Sequence, residues 1–383
     1  MEGKAVSSAA YTPDSYAKLA WNITEGYNES YGNVTQSNIL VHEPPFDTNA
    51  VILSTSLIMP MMIFGVLANI LTVYVICNSK KLKTIFNLLI TSLCVSDCIS
   101  ALISPLFLYR RTWGFDHWVI SNFLCKFFWG ADNGTSISTS FHILCFSFLR
   151  LLSISWPHHY KRVSRFHAKM CLLVIWLLSI GFGFVPFALW FSARKMNRNV
   201  KSAETGWPSC TISLNWAYQF KNYSLFGYLV FFYIPFALVV MVSVSVSVII
   251  CKRRTERAKG KSKDDVAEIS RQRKENQAIV QLALVVGSFM LGYIPHTAYH
   301  IYAMNTKVTT HEDEVFHWWF GVVEYFCLRL SECLNPVFYN LASSKMRNET
   351  KKVLARICVC CATEQANPQS RMTISTTFES GKL

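Results

Sequence analysis

Apolar residues in this chain gather into seven long runs instead of alternating with polar ones, and that grouping predicts the elements directly. The runs cover Asn49–Cys77, Ile85–Tyr109, Phe123–Ser155, Met170–Ala193, Tyr223–Cys251, Gln277–Met304 and Val315–Leu341. Each reaches the ~20 residues that a helix rising ~1.5 Å per residue needs to cross ~30 Å of hydrocarbon. The first, fourth and fifth contain no Asp, Glu, Lys or Arg. A core helix of a water-soluble protein would show a polar stripe there. The pattern predicts an all-α membrane protein, a seven-transmembrane helix bundle followed by a short amphipathic eighth helix.

Charge placement sets the expected topology. The chain is 51% hydrophobic and 16% charged, with a formal net charge of +14. Its cations gather in the connections after the first, third and fifth runs and beyond the seventh: Lys80, Lys81 and Lys83; Lys161 to Lys169; Lys252 to Lys274; Lys345 to Arg356. All four segments fall on one side when seven spans are threaded, and the positive-inside rule makes that side cytoplasmic. The excess charge is therefore membrane topology and not a nucleic-acid surface, although Arg194, Lys195, Arg198 and Lys201 form a basic cluster on the other side. The expected plan is an outer tail over 1–48, a seven-transmembrane domain over 49–341, a juxtamembrane helix over 342–361 and a cytoplasmic tail over 362–383. The tail up to 48 carries glycosylation sequons at Asn22, Asn28 and Asn33 and shows no cleavable signal peptide. The expected location is the plasma membrane, multi-pass, with the N-terminus outside.

Most of the 13 cysteines lie within the runs, where they act as small apolar residues. Cys125 and Cys210 are expected on the oxidising face, where a bridge between them would pin the loop after the fourth span across the mouth of the bundle. Cys358, Cys360 and Cys361 follow the basic amphipathic segment. They read either as palmitoylation sites or as free cytosolic thiols.

Ionisable groups inside hydrocarbon are costly and so informative. Asp97 stands alone in the second run. The seventh ends in Asn335-Pro336-Val337-Phe338-Tyr339, and Pro105, Pro186, Pro235 and Pro295 interrupt other runs. Gly65-Val-Leu-Ala-Asn69, Leu93-Cys-Val-Ser-Asp97, Trp113-Gly-Phe115, Cys125, Arg150, Pro157, Trp176, Pro235, Phe289 with Pro295, and the Asn-Pro-Val-Phe-Tyr element follow one another across all seven runs. In that order and spacing the chain resembles the rhodopsin-like (class A) G-protein-coupled receptors.

The resemblance implies a sodium and activation pocket at Asp97, Thr139, Ser331, Glu332, Asn335 and Tyr339. It also implies that Arg150 meets the G protein, with Glu275 able to clamp it. Here the usual acidic neighbour of that arginine is Leu149 and the following aromatic is Leu151, which removes one restraint and predicts raised basal activity. The sixth-span toggle reads Gly292-Tyr293-Ile294-Pro295, and Ser243 replaces a common tyrosine in the fifth. Implied partners are an extracellular ligand, a heterotrimeric G protein, arrestin and membrane lipid, with no cofactor.

For the ligand, the resemblance places Asp132 where amine receptors grip an ammonium, but Arg329 faces that position and would already neutralise it. Glu332, three residues on, is a second partner for Arg329. Opsins carry a retinal lysine at the place of Arg329, and a guanidinium forms no Schiff base. With Tyr293, His296, Tyr325, Glu324 and His300 nearby, the pocket suits a peptide or a polar or anionic small molecule, with a biogenic amine at Asp132 as the alternative. Other classes fare worse: zinc-protease, P-loop and nucleophile-elbow motifs are absent, and no repeated halves suggest a transporter. A receptor that binds without signalling stays open because of Leu149 and Ser243.

Overall fold

Each apolar run is helical, and the helices begin where a side chain can cap them. Helix α1 (Thr48–Asn78) starts at Asp47, whose carboxylate accepts from the Ala50 amide at 2.8 Å. Thr84 caps α2 (Ile85–Leu102), which Ile103 separates from α3 (Ser104–Arg111). Ser121 caps α4 (Asn122–Ser155), and α5 (Pro157–Arg162) follows it. Capping boxes open α6 (Arg165–Leu178) through Ser164 and His167, and α11 (His311–Ala342) through Thr310 and Asp313. Such caps satisfy amides that the first helical turn leaves unpaired. The remaining helices are α7 (Val185–Trp190), α8 (Ala217–Tyr228), α9 (Ile234–Lys259), α10 (Val266–Asn305) and α12 (Ser344–Gln365).

The computed structural model describes residues 43–193, 208–259, 266–306, 308 and 310–365, with backbone alone at 214, 304, parts of 257–282 and from 358 onward. Asn22, Asn28 and Asn33, the cluster Arg194–Lys201, the side chains of Glu275, Cys358, Cys360 and Cys361, and the tail past Gln365 lie outside the described residues. Everything below belongs to one contact unit, Pro44–Met196 with Ser202–Leu383.

Prolines explain two departures from plain α-helix. A π-helical turn at Ser179–Phe184 leads into Val185-Pro186, and another at Leu229–Tyr233 leads into Ile234-Pro235. Proline lacks an amide donor and crowds the carbonyl four residues back, and a widened turn accommodates both. Pro105 sits in the first turn of α3, just after the interruption at Ile103. Pro60, Pro295 and Pro336 remain inside continuous helices. Glycines bring the first π turn against α4: a Cβ on Gly183 would lie 2.6 Å from the Gly134 Cα, and one on Gly130 would lie 2.9 Å from the Phe184 carbonyl. Small residues at such a crossing let two backbones approach where lipid supplies no hydrophobic drive.

Five helical stretches among the described residues are long and apolar enough to cross a membrane: Thr48–Asn78, Ile85–Arg111, Asn122–Ser155, Arg165–Trp190 and Ala217–Glu256. Their outward faces expose large apolar side chains such as Leu53, Phe64, Leu67, Leu173 and Leu177, as expected when the surrounding solvent is lipid. Helices α10 and α11 are as long; α11 carries Glu324, Arg329 and Glu332, all buried.

One end of the helices is closed by covalent and strand contacts. Cys125, in the first turn of α4, is disulfide-bonded to Cys210 across 5.7 Å between Cα atoms. Cys210 begins β2 (Cys210–Ile212), which pairs antiparallel with β1 (Phe191–Ala193) in the register Phe191–Ile212. The Ser209 amide and hydroxyl tie this hairpin to Phe115 and Gly114 at 2.7 and 2.5 Å. At the opposite end, α12 turns away after Ser343. There Lys352 donates to Glu349 at 2.9 Å and pulls its carboxyl below the ordinary glutamate range.

Candidate functional site

Arg329 is the centre of a buried charged cluster that joins three helices. Its α11 position leaves the side chain 1% exposed. One guanidinium nitrogen donates to Glu332, one turn on, at 2.6 Å, and another donates to Asp132 on α4. The Ser100 hydroxyl of α2 donates to the same Glu332 oxygen. Three helices are therefore joined by one guanidinium and two carboxylates. The spacing 329 to 332 puts two opposite charges on one face of a helix, and Asp132 closes the set from across the bundle.

An aromatic pair lies beside this cluster. The Arg329 guanidinium sits 4.7 Å above the Tyr325 ring, which stacks on Phe107 of α3 at 3.6 Å between centroids with the planes 2° apart. The Tyr325 hydroxyl reaches Ser104 at 3.3 Å. On α10, Tyr293 donates to the Ser136 carbonyl at 2.9 Å and packs 4.1 Å from Phe289. His296 meets Glu324 at 2.9 Å, and His300 meets the Tyr228 hydroxyl at 2.9 Å. Asp132, Tyr293, His296, Tyr325 and Arg329 thus converge on one region between α3, α4, α10 and α11.

The residues around Asp97 are only partly joined. Asn335 donates to one Asp97 oxygen at 3.0 Å, while the second oxygen is buried without a hydrogen-bond partner. The Thr139 and Tyr339 hydroxyls are likewise buried and unpartnered. Ser331 turns back to the Leu328 carbonyl at 2.7 Å. Glu332 bonds to Arg329 and Ser100, and no hydrogen bond joins it to Asp97 among the described residues. The predicted polar pocket therefore divides into an Asp97–Asn335 half and a Glu332–Arg329 half.

Arg150 lies at the end opposite the disulfide, with its guanidinium 4.4 Å above the Phe86 ring. It borders a cavity of about 360 Å³ lined also by Lys81, Tyr160, Gln277, Tyr339 and Met346.

Two functional candidates escaped the sequence reading. Arg110 and Arg111 end α3 and are 6% and 4% exposed. Arg110 donates to the Cys210 carbonyl at 2.7 Å and lies 4.6 Å above Trp129. Arg111 donates to the Tyr299 hydroxyl at 2.8 Å. Their position just past the second apolar run reads as a span boundary. The one available signal was Pro105, which marks a new helical segment that carries the chain onward past Tyr109.

A family model described as "7 transmembrane receptor (rhodopsin family)" matches residues 68–339. Growth hormone secretagogue receptor type 1 of Sus scrofa is 26% identical over 326 residues, covering 83% of this chain and 86% of that protein. The human motilin receptor is 25% identical over 350 residues, 81% of this chain and 82% of its own length. Neuropeptide receptor 15 of Caenorhabditis elegans is 23% identical over 309 residues, 77% and 87% respectively. These relatives are receptors and not enzymes. With the apolar helices and a family match across most of its length, this chain is a multi-pass membrane protein that belongs to the rhodopsin family of seven-transmembrane receptors.

Proposed function

We propose that the chain is a plasma-membrane receptor with seven spans and an outer N-terminus. It binds a peptide at its disulfide end and activates a heterotrimeric G protein at the other. In this reading α10 and α11 are the sixth and seventh spans, and α12 is the juxtamembrane helix. The observation that carries the ligand class is the state of Asp132, which is already held by Arg329. An ammonium ligand would have to displace a buried guanidinium, and breaking a desolvated pair costs ~3–5 kcal/mol. A peptide has enough contact surface to engage the region without opening that pair. The names of relatives matched over more than three quarters of this chain support the same reading, among them a neuropeptide receptor and a motilin receptor.

Signal transfer in this reading runs through Arg150, beside the 360 Å³ cavity that would receive the G protein. Leu149 in place of an acid removes one charge that could hold Arg150 inactive, so basal activity is raised. Asp97, with the unpartnered oxygens of its own carboxylate and of Thr139, offers the hard oxygen donors a sodium ion prefers. Ser331 does not present its hydroxyl there, since it bonds to Leu328. Sodium bound at Asp97 would favour the inactive arrangement of α2 and α11. Arrestin and anionic lipid are further partners at the same face, and Cys358, Cys360 and Cys361 are proposed as palmitoylation sites.

The test is ligand-dependent nucleotide exchange on G proteins in membranes, comparing wild type with Asp132→Asn and Arg150→Ala. Peptide responses that survive Asp132→Asn support the reading. An amine response abolished by Asp132→Asn would establish the amine alternative instead. Unliganded exchange should fall in Arg150→Ala, and identical basal levels would remove the claim of raised activity.

A further inference from the structure

Arginines suit the last turn of a helix, where they face the negative end of its dipole. That explains why cations end α3, but not why two adjacent ones are buried. Their direct hydrogen-bond and ring contacts are neutral: the Cys210 carbonyl and Trp129 ring for Arg110, and the Tyr299 hydroxyl and Phe107 ring for Arg111, while Asp132 and Glu324 act on Arg110 only at longer range. No carboxylate lies within ion-pair distance of either among the described residues. Glu324 on α11 is paired with His296, Asp313 accepts from the Thr310 amide at 3.0 Å, and Glu314 meets His311 at 3.7 Å.

The fold makes room for this arrangement. A Cβ on Gly321 would run into the Arg111 guanidinium, so glycine is what lets that group lie against α11. Trp318, on the turn before, donates to the Arg111 carbonyl at 2.7 Å and fixes the end of α3 to α11.

The Tyr299 hydroxyl accepts from Arg111 at 2.8 Å and lies 3.1 Å from His317 Nε2. The His317 Nδ1 and the Arg111 Nε are both buried without a hydrogen-bond partner. An unpartnered guanidinium N–H beside a second buried cation, with an open imidazole nitrogen that donates in its Nδ1–H form, makes a site for an anion with two acceptor oxygens.

We propose that Arg111, with Arg110 and His317, is a recognition subsite for a carboxylate of the ligand, separate from the Asp132–Arg329 pair. The inference rests on the reading of this chain as a peptide receptor. A peptide's free C-terminus and an aspartate or glutamate side chain supply the same chemistry. Either would sit at the disulfide end, joined to the deeper charge cluster through the stacked Phe107–Tyr325 pair.

The test uses the purified full-length receptor and N-acetylated hexapeptide pools in three forms: free acid, C-terminal amide, and amide containing Asp and Glu. Binding is read as the rise in thermal unfolding midpoint, and signalling as G-protein nucleotide exchange. The free-acid pool should act at a concentration at least tenfold below that of the plain amide pool. Arg111→Gln and Arg110→Gln should abolish that preference at equal surface expression, while Arg111→Lys should retain part of it. If the acidic amide pool matches the free acid, the subsite takes a carboxylate from either source; if it matches the plain amide, it takes the C-terminus alone.

Equal potency of acid and plain amide pools, stabilisation by none of them, or an acid preference that persists in Arg111→Gln would overturn the proposal. Acid-selective stabilisation without nucleotide exchange would keep the subsite and sink the signalling reading. Exchange driven equally by acid and plain amide pools would do the reverse.

Discussion

Arg329 and Arg111 are both almost fully buried on neighbouring helical segments, yet their surroundings are opposite. Arg329 is held by Asp132 and Glu332, two carboxyl groups to one guanidinium. Arg111 has a neighbouring cation and hydroxyl and ring partners instead of a bonded acid. A stacked ring pair joins them, with Arg329 above Tyr325 and Arg111 above Phe107. The contrast separates two uses of a buried guanidinium. One is a structural clasp between spans, complete without a ligand. The other retains unmet binding capacity.

The sharpest way to break this contrast is to remove Arg329. Arg329→Gln leaves two buried carboxylates without their cation and should cost ~3–5 kcal/mol, read as a lower unfolding midpoint and reduced surface expression. Adding Glu332→Gln to that variant should recover part of the loss, because one stranded charge is gone. Tyr325→Leu, which cuts the ring stack between the two sites, should cost about 1.5 kcal/mol in the same assay.

Arg111→Gln tests the opposite sign. It retains an amide able to reach Tyr299 while discarding a buried charge that has no acid within ion-pair distance among the described residues, so the unliganded receptor should be more stable by about 1 kcal/mol. A fall comparable with that of Arg329→Gln would show that the two sites do not differ. The smallest effect is expected from Gly321→Ala, where the guanidinium can swing away at a cost of a few tenths to about 1 kcal/mol. Its unfolding midpoint should therefore barely move.

The difference between these two arginines also separates what the chain made legible from what it hid. Arg329 stood inside an apolar run, where any charge is conspicuous, and Glu332 lay at helical spacing from it. Arg110 and Arg111 followed directly after a run, where cations mark the end of a span in any membrane protein. The same reasoning placed run ends by charge although helices continue beyond the hydrocarbon. Helix α8 begins at Ala217, six residues before the apolar run at Tyr223, and α10 begins at Val266 within a charged stretch. Asp97 and Asn335 were expected together and are bonded, but nothing in the sequence indicates that Ser331 turns back on its own helix. Hydroxyl orientation depends on local rotamers that spacing does not encode.

The two π-helical turns carry a consequence for any comparison by residue counting. Each inserts one surplus position into its span, rotating everything on one side of it by ~100° relative to an unbroken α-helix. Tyr228 faces His300 in the interior because it precedes such a turn. Deleting one residue from Leu229–Tyr233 would swing that tyrosine toward lipid while leaving the span's composition almost unchanged. Relatives lacking the bulge must therefore be aligned with a gap there, or the inward and outward faces of the fifth span will be exchanged.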